Sequence, residues 1–131
     1  AFALGAEGIQ MGTRFVSSVE SPVHGNYKQA SVDADDTGTV MLNRKSTPCV
    51  RALKTERARD IDREGGFDRA IFASVKDVYF GGDMEASLAL AGQTVGLIHE
   101  VLPVAEIIRR TIEGFHDIRL RQGERSLAGG F

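Results

Sequence analysis

A short apolar run ending on glycine, Gly8-Ile9-Gln10-Met11-Gly12, follows what reads as the closing turn of a helix, Ala1-Phe2-Ala3-Leu4-Gly5. Helix end, strand, glycine is the order of a βα unit in a parallel sheet. That order constrains the chain more than any other feature and predicts an α/β fold. Its opening lies inside a helix, with no initiator Met and no cap, so a truncated or processed start is expected. At 131 residues the chain can bury a core of its own. It is too short for a complete eight-fold β/α barrel, which needs on the order of 200 residues or more.

The rest of the chain supplies few strands. Ser21 and Pro22 read as N-cap and first position of a helix over 22–32. An acidic turn over 33–38 precedes a β-favouring run, Thr39-Val40-Met41-Leu42. Residues 43–48 are loop-like, and the charge-rich stretch 50–61 predicts a solvated helix broken by Gly65-Gly66. Apolar residues at 67, 70, 71, 75, 78 and 79 follow helical spacing and predict a helix over 67–80. Asp83 is placed to cap a further helix to Ala91. Val95-Gly96-Leu97-Ile98 is a strand or a packed connection. Pro103 opens a last helix with a stripe of Val104, Ile107, Ile108, Thr111, Ile112 and Phe115. Residues 122–131 lack periodicity and are expected to fray. Two strong strands against four or five helices do not close a tidy domain.

Composition narrows the function. Sixteen Lys and Arg against eighteen Asp and Glu leave a formal charge of -2, which argues against a nucleic-acid partner bound by a general basic surface. The lone Cys49 can form no internal disulfide and cannot alone hold a structural zinc. No apolar run reaches the roughly 18 residues needed to span a bilayer, and no secretory pattern opens the chain, so no membrane partner is expected. A reduced, cytoplasmic setting follows as the expectation.

Chemistry concentrates at the first segment. Gly12-Thr13 at the exit of a parallel strand would present free backbone N–H groups, and a helix starting there favours an anion such as phosphate. Glycine allows close approach, and the threonine hydroxyl adds a donor. Elsewhere the blander readings prevail. His24, His99 and His116 have no metal-ligand spacing, and no metal is expected. Cys49 reads as a surface or structural thiol. Asp83 and Glu85 read as capping groups rather than an acid/base pair. Arg51, Arg57 and Arg59 read as a solvated face, with a minority reading in which one meets an anionic substrate or cofactor.

The run from Ala3 to Phe15 (Ala-Leu-Gly-Ala-Glu-Gly-Ile-Gln-Met-Gly-Thr-Arg-Phe) resembles the flavin-phosphate segment of the nitronate monooxygenase family, formerly called 2-nitropropane dioxygenase, whose relatives include FMN-dependent enoyl-ACP reductases. Further matches follow in order. Glu20-Ser21-Pro22-Val23-His24-Gly25-Asn26-Tyr27-Lys28 resembles the helix entry after that strand, and Arg51-Ala52-Leu53 the Arg-x-Leu element of the small inserted domain. Gly82-Asp83-Met84-Glu85, Ala91-Gly92-Gln93-Thr94-Val95-Gly96-Leu97-Ile98 and Pro103-Val104-Ala105-Glu106-Ile107-Ile108 are similar to later signatures. The resemblance extends from Ala1 to about Phe115.

This resemblance implies the C-terminal portion of an FMN-binding (β/α)8 TIM barrel carrying an inserted small α/β domain, here an incomplete barrel. Residues 1–19 would be the last barrel strand and phosphate segment, 20–81 the inserted domain, and 82–131 the return to the barrel, closing helices and tail. Gln10, Met11, Gly12 and Thr13 match the family's FMN-contacting positions. The family's catalytic histidine would lie before Ala1, and none of the three histidines here matches it. Residues 39–54 depart from the common pattern, which bears on the substrate-facing insert, and Gln93 is expected to help dock the insert. The implied activity is oxidation of alkyl nitronates with O2. Alternatives are an NAD(P)H-dependent enoyl-ACP or quinone reductase, or a non-catalytic fragment acting within an assembly. The isolated chain is expected to be inactive. Expected partners are a small-molecule substrate, the missing barrel portion or a companion chain, and further copies in a homo-oligomer.

Overall fold

The computed structural model describes residues 1, 2 and 4–128, with side chains described as far as 123. Two antiparallel strands, β1 (Thr39–Leu42) and β2 (Val50–Leu53), form its sheet, in the register Thr39↔Leu53 to Leu42↔Val50. Asn43, in the left-handed region at φ 58°, turns the chain out of β1. Its amide group donates to the Pro48 carbonyl at 3.0 Å and closes the loop. Strand β2 occupies the first part of the stretch expected to be helical. Pairing with β1 and burial of Ala52 and Leu53 override the charges around them.

A third extended segment, residues 87–91, lies against β2. Leu53 N donates to Ala89 O at 2.8 Å and Ala91 N to Arg51 O at 3.1 Å, bracketing an antiparallel bridge between Ala52 and Leu90. The helix expected from Asp83 to Ala91 is therefore absent. Its Ala-Ser-Leu-Ala-Leu-Ala composition favours helix locally, yet successive side chains serve opposite faces. Leu88 and Leu90 join one apolar cluster, Ala89 and Ala91 the other. A period of two is the strand's signature.

The two clusters lie on the two faces of this small sheet. On one, α3 (Glu56–Glu64) packs Ala58 and Ile61 against Val40, Leu42, Ala52 and Leu88. Thr55 Oγ1 caps that helix by accepting from Ala58 N at 3.2 Å, and Glu85 Oε2 accepts from Arg57 N at 2.6 Å. On the other face, α2 (Gly25–Val32) brings Tyr27 against Leu53, Val78, Ala89, Val95 and Ile98. This helix starts later than expected. His24, not Ser21, caps it, accepting from Asn26 N at 3.1 Å.

Residues 69–81 do not form the uniform helix read from their apolar spacing. A 3-10 helix (Arg69–Ser74) gives way to a π-helical turn (Asp77–Gly81). Phe67, Ile71 and Phe72 pack against the cluster beside α3, whereas Val78 and Tyr79 pack against the cluster beside α2. One α-helical stripe cannot face both, and the change of pitch turns the side chains from one to the other. Residues Val95–Leu97 form a short 3-10 turn against α2.

The last helix, α4 (Val104–Ala128), starts where Pro103 predicts and runs through 122–128, where fraying was expected. Residues 129–131 of that expected tail lie outside the described residues. Ile107 is buried, but Ile112 on the same stripe is 51% exposed. Facing it is the first segment, with Phe2 edge-on to Phe115 at 5.0 Å between ring centres. Between them lies a cavity of about 710 Å³ lined by Phe2, Ile9, Ile112, Phe115 and Ile118 among others. No helix among the described residues is long and apolar enough to cross a membrane.

Two predictions follow from this packing. A Cβ on Gly96 would sit 2.6 Å from both the Asp35 carbonyl carbon and the Asp36 nitrogen, which are backbone atoms that cannot swing aside. Gly96→Ala is expected to cost about 1–3 kcal/mol, read as a lower midpoint in thermal denaturation. At the start of α4, hydrogen bonds from Arg109 and Arg110 hold the Glu106 carboxyl at about 2, below its ordinary 4.5. A carboxyl lowered on folding stabilises fully above its unfolded value and loses that contribution as pH falls through the folded one. The melting-temperature gap between wild type and Glu106→Gln should be present at pH 6, small because the group is exposed, and should close between pH 4.5 and 2.

Candidate functional site

The four residues singled out by the sequence, Gln10, Met11, Gly12 and Thr13, lie in an open loop that leads into α1 (Thr13–Val16), a single turn. The strand expected over 8–12 is not formed. Among the described residues no ladder pairs with it, and Ile9 is 73% exposed. Extended backbone becomes a strand only with a partner for its N–H and C=O groups.

Three features make the loop suited to an anion. The backbone N–H groups of Gly12, Thr13 and Arg14 donate to no acceptor among the described residues. Gly12 has φ -97°, which any residue adopts, and an ideal Cβ there meets nothing within 4 Å. No described neighbour crowds position 12, which leaves room for close approach of a ligand to the backbone. Thirdly, Thr13 Oγ1 accepts from Gly92 N at 2.8 Å. With one lone pair so engaged, its hydroxyl proton is free to donate in a restricted direction. A single helical turn has a weak dipole, so the amides and this hydroxyl, rather than a macrodipole, are what the loop offers.

Residues 14–20, which follow the loop, are tied to residues 100–104. Arg14 Nη1 donates to the Glu100 carbonyl at 3.0 Å, and burial lowers the guanidinium from its ordinary value while Glu100 opposes that shift. Beyond α1, Ser18 makes a parallel bridge with Leu102, and Val19 N donates to Leu102 O at 3.0 Å. Glu20 then accepts from Val104 N through both carboxylate oxygens, at 2.9 and 3.1 Å, and so caps α4. No residue of α4's own start supplies this cap, which is why local sequence reading missed Glu20.

Behind Gly92 stands a pair of tyrosines that the sequence did not single out. Tyr27 and Tyr79 stack with ring centres 5.1 Å apart, and their hydroxyls bond the carbonyl and the amide of Leu90, respectively. Burial raises both phenols above their ordinary values, so both keep their protons at neutral pH. The signal was an aromatic with a polar tip at an apolar helix position, which needs a buried partner for its hydroxyl.

The remaining candidates are accounted for locally. His99 and His116 are exposed, and His24 is a helix cap. Asp83 accepts from Glu85 N at 3.1 Å within its own turn, and Glu85 caps α3, so neither caps the expected helix. Arg51 donates to Thr39 Oγ1 at 3.1 Å, half-buried on the sheet, and Arg59 pairs with Glu56 at 2.8 Å. Cys49 and Gln93 are exposed.

Residues 1–114 match the family described as nitronate monooxygenase. The chain is also similar to the solved structure of FabK from Thermotoga maritima, with 37% identity over 95% of this chain and a TM-score of 0.85. A mutant of that FabK aligns with 39% identity over 94% of this chain and a TM-score of 0.79. The chain spans 42% and 39% of the length of those two structures.

Because no neighbour fills the space beside Gly12, Gly12→Ala should leave thermal stability within about 0.5 kcal/mol of wild type. A larger loss in a denaturant midpoint would mean that the glycine serves folding.

Proposed function

This chain belongs to the nitronate monooxygenase family, and on that premise we propose that it is the C-terminal part of a flavin-dependent oxidoreductase, in which residues 10–13 hold the phosphate of FMN. The observation that carries this reading is the exposed loop with unbonded amides around a glycine that no described neighbour crowds. Phosphate is a ligand of the right chemistry, an anion with several acceptor oxygens for convergent N–H and O–H donors. In this reading the rest of a (β/α)8 barrel covers Ile9, Ile112 and Phe115 and supplies the catalytic histidine.

FMN supplies the redox chemistry when bound, and the protein positions it and keeps the pocket dry. The backbone of Gly12 and Thr13 binds the phosphate and so fixes one end of the cofactor. Thr13 adds its hydroxyl proton, held in direction by Gly92 N. The apolar face of α4 and the first segment exclude water from that side. The substrate is a small molecule, and the setting proposed is the cytoplasm.

The family description favours an alkyl nitronate oxidised with O2. A second reading, reduction of an enoyl thioester by NADH or NADPH, is favoured by the likeness to FabK.

The test uses the complete polypeptide that contains these residues. Native mass spectrometry should find FMN on it. Gly12→Val should weaken FMN binding about tenfold or more while the melting temperature stays close to wild type. Turnover of a primary alkyl nitronate under oxygen, without nicotinamide, would favour the first reading. Oxidation of NADH or NADPH driven by an enoyl thioester would favour the second. A flavin-free polypeptide, alone or as an oligomer, would overturn both and leave an assembly role.

A further inference from the structure

Among the described residues the segment 87–91 has one strand beside it, and the N–H and C=O groups of successive residues point to alternate edges. Ala89 O and Ala91 N are committed to β2. Leu90 N, Leu90 O and Gly92 N therefore face the other edge, where no strand pairs with them among the described residues. Side-chain hydroxyls take the place of that strand. Leu90 N donates to Tyr79 Oη at 3.0 Å, Tyr27 Oη donates to Leu90 O at 2.5 Å, and Gly92 N donates to Thr13 Oγ1 at 2.8 Å.

We propose that Tyr79 and Tyr27 are positioning residues for the phosphate segment: by clamping the Leu90 peptide they fix Gly92 N, which in turn orients the Thr13 hydroxyl toward the ligand. The proposal rests on the functional reading above and deepens it. The geometry makes the tyrosines suited to the task. They come from two different elements, α2 and the π-helical turn, which are themselves locked together. His24 N donates to Tyr79 O at 2.7 Å, and Asn26 Nδ2 donates to Gly82 O at 2.8 Å. The rings stack, so neither hydroxyl can swing without disturbing the other. A displacement at Leu90 reaches Gly92 over a single intervening residue, and Gly92, whose carbonyl accepts from Val95 N at 3.2 Å, has no side chain of its own to hold its amide in place. Thr13 has a freely rotating hydroxyl, so Gly92 N is what selects the direction of its proton.

The test is a double-mutant cycle on FMN affinity in the complete polypeptide, measured by quenching of flavin fluorescence, with thermal midpoints recorded alongside. Tyr79→Phe removes the acceptor for Leu90 N and should weaken FMN binding about tenfold. Thr13→Val should do the same, and Thr13→Ser, which keeps the oxygen, should restore binding to within about threefold of wild type. In the Thr13→Val background Tyr79→Phe should have no more than about a twofold further effect, because its route to the ligand has been cut. Tyr27→Phe, which leaves the Leu90 N bond intact, provides the same comparison if Tyr79→Phe does not fold. Amide hydrogen exchange at Gly92 should be faster in the tyrosine variants than in wild type.

Wild-type FMN affinity in the tyrosine variants, with only a lower melting temperature, would overturn the proposal and make the pair a purely structural clamp. Full additivity with Thr13→Val would also overturn it. In both cases wild type still binds FMN and the functional reading stands. A wild-type polypeptide that binds no FMN overturns the functional reading itself and the proposal with it.

Discussion

A strand with one neighbour has a second edge, and buried peptide groups on that edge must find partners or incur a desolvation cost of about 1–3 kcal/mol each. Much of this structure follows from how residues 87–91 meet that requirement. Their first edge reads β2; their second is met by Tyr27, Tyr79 and Thr13. Those side chains come from α2, the π-helical turn and α1, so satisfying one edge draws three distant pieces of chain to the same place. The two apolar clusters then lie on either face of the sheet, with leucines 88 and 90 on one side and alanines 89 and 91 on the other. The size difference has a reason. The alanine face must leave room for the stacked tyrosine rings.

The loop at Gly12 inherits its position from this arrangement on one side and from α4 on the other. Residues 18–20 run beside 102–104, and Glu20 ends that pairing by capping α4. A single carboxylate thereby links the exit of the candidate phosphate segment to the start of the longest helix. The opposite side of the loop is open, and the apolar residues of the first segment and of α4 line a cavity rather than a closed core. This contrast between a tied side and an open side is what a ligand-bearing loop at the edge of a larger barrel would require.

Part of this was legible in the residues, and most of the failures share one cause. Strand β1 and the start of α4 after Pro103 depend on chemistry within a few residues, whereas the helix that Asp83 was expected to cap is absent and Glu85 caps α3 instead. The family resemblance rested on an ordered series of glycine-containing motifs, and the family match covers the same span. Misread were β2, the segment 87–91 and the change of helical pitch within 69–81. Alternating Leu and Ala looks helical to local propensity, because both residues favour helix; only the presence of β2 on one edge and hydroxyls on the other makes the extended form better. Residues 69–81 carry a helical stripe, but two clusters compete for it. The expected strand at 8–12 failed for the opposite reason, since no partner within the described residues pairs with it.

By itself, the sequence determined the α/β character, the apolar stripe of α4 and the family, and it singled out the glycine-threonine segment on which the proposed function rests. These are properties of composition, spacing and ordered motif, which a chain carries whether folded or not. Only the tertiary structure decided that no described neighbour crowds Gly12, that Glu20 caps a helix more than eighty residues away, and that two tyrosines hold the Leu90 backbone, two residues from the Gly92 amide bonded to Thr13. Each of those depends on what occupies the space around a group or on the partner its hydrogen bond finds. Neither is encoded at the residue itself, because a donor's partner is chosen by the whole fold.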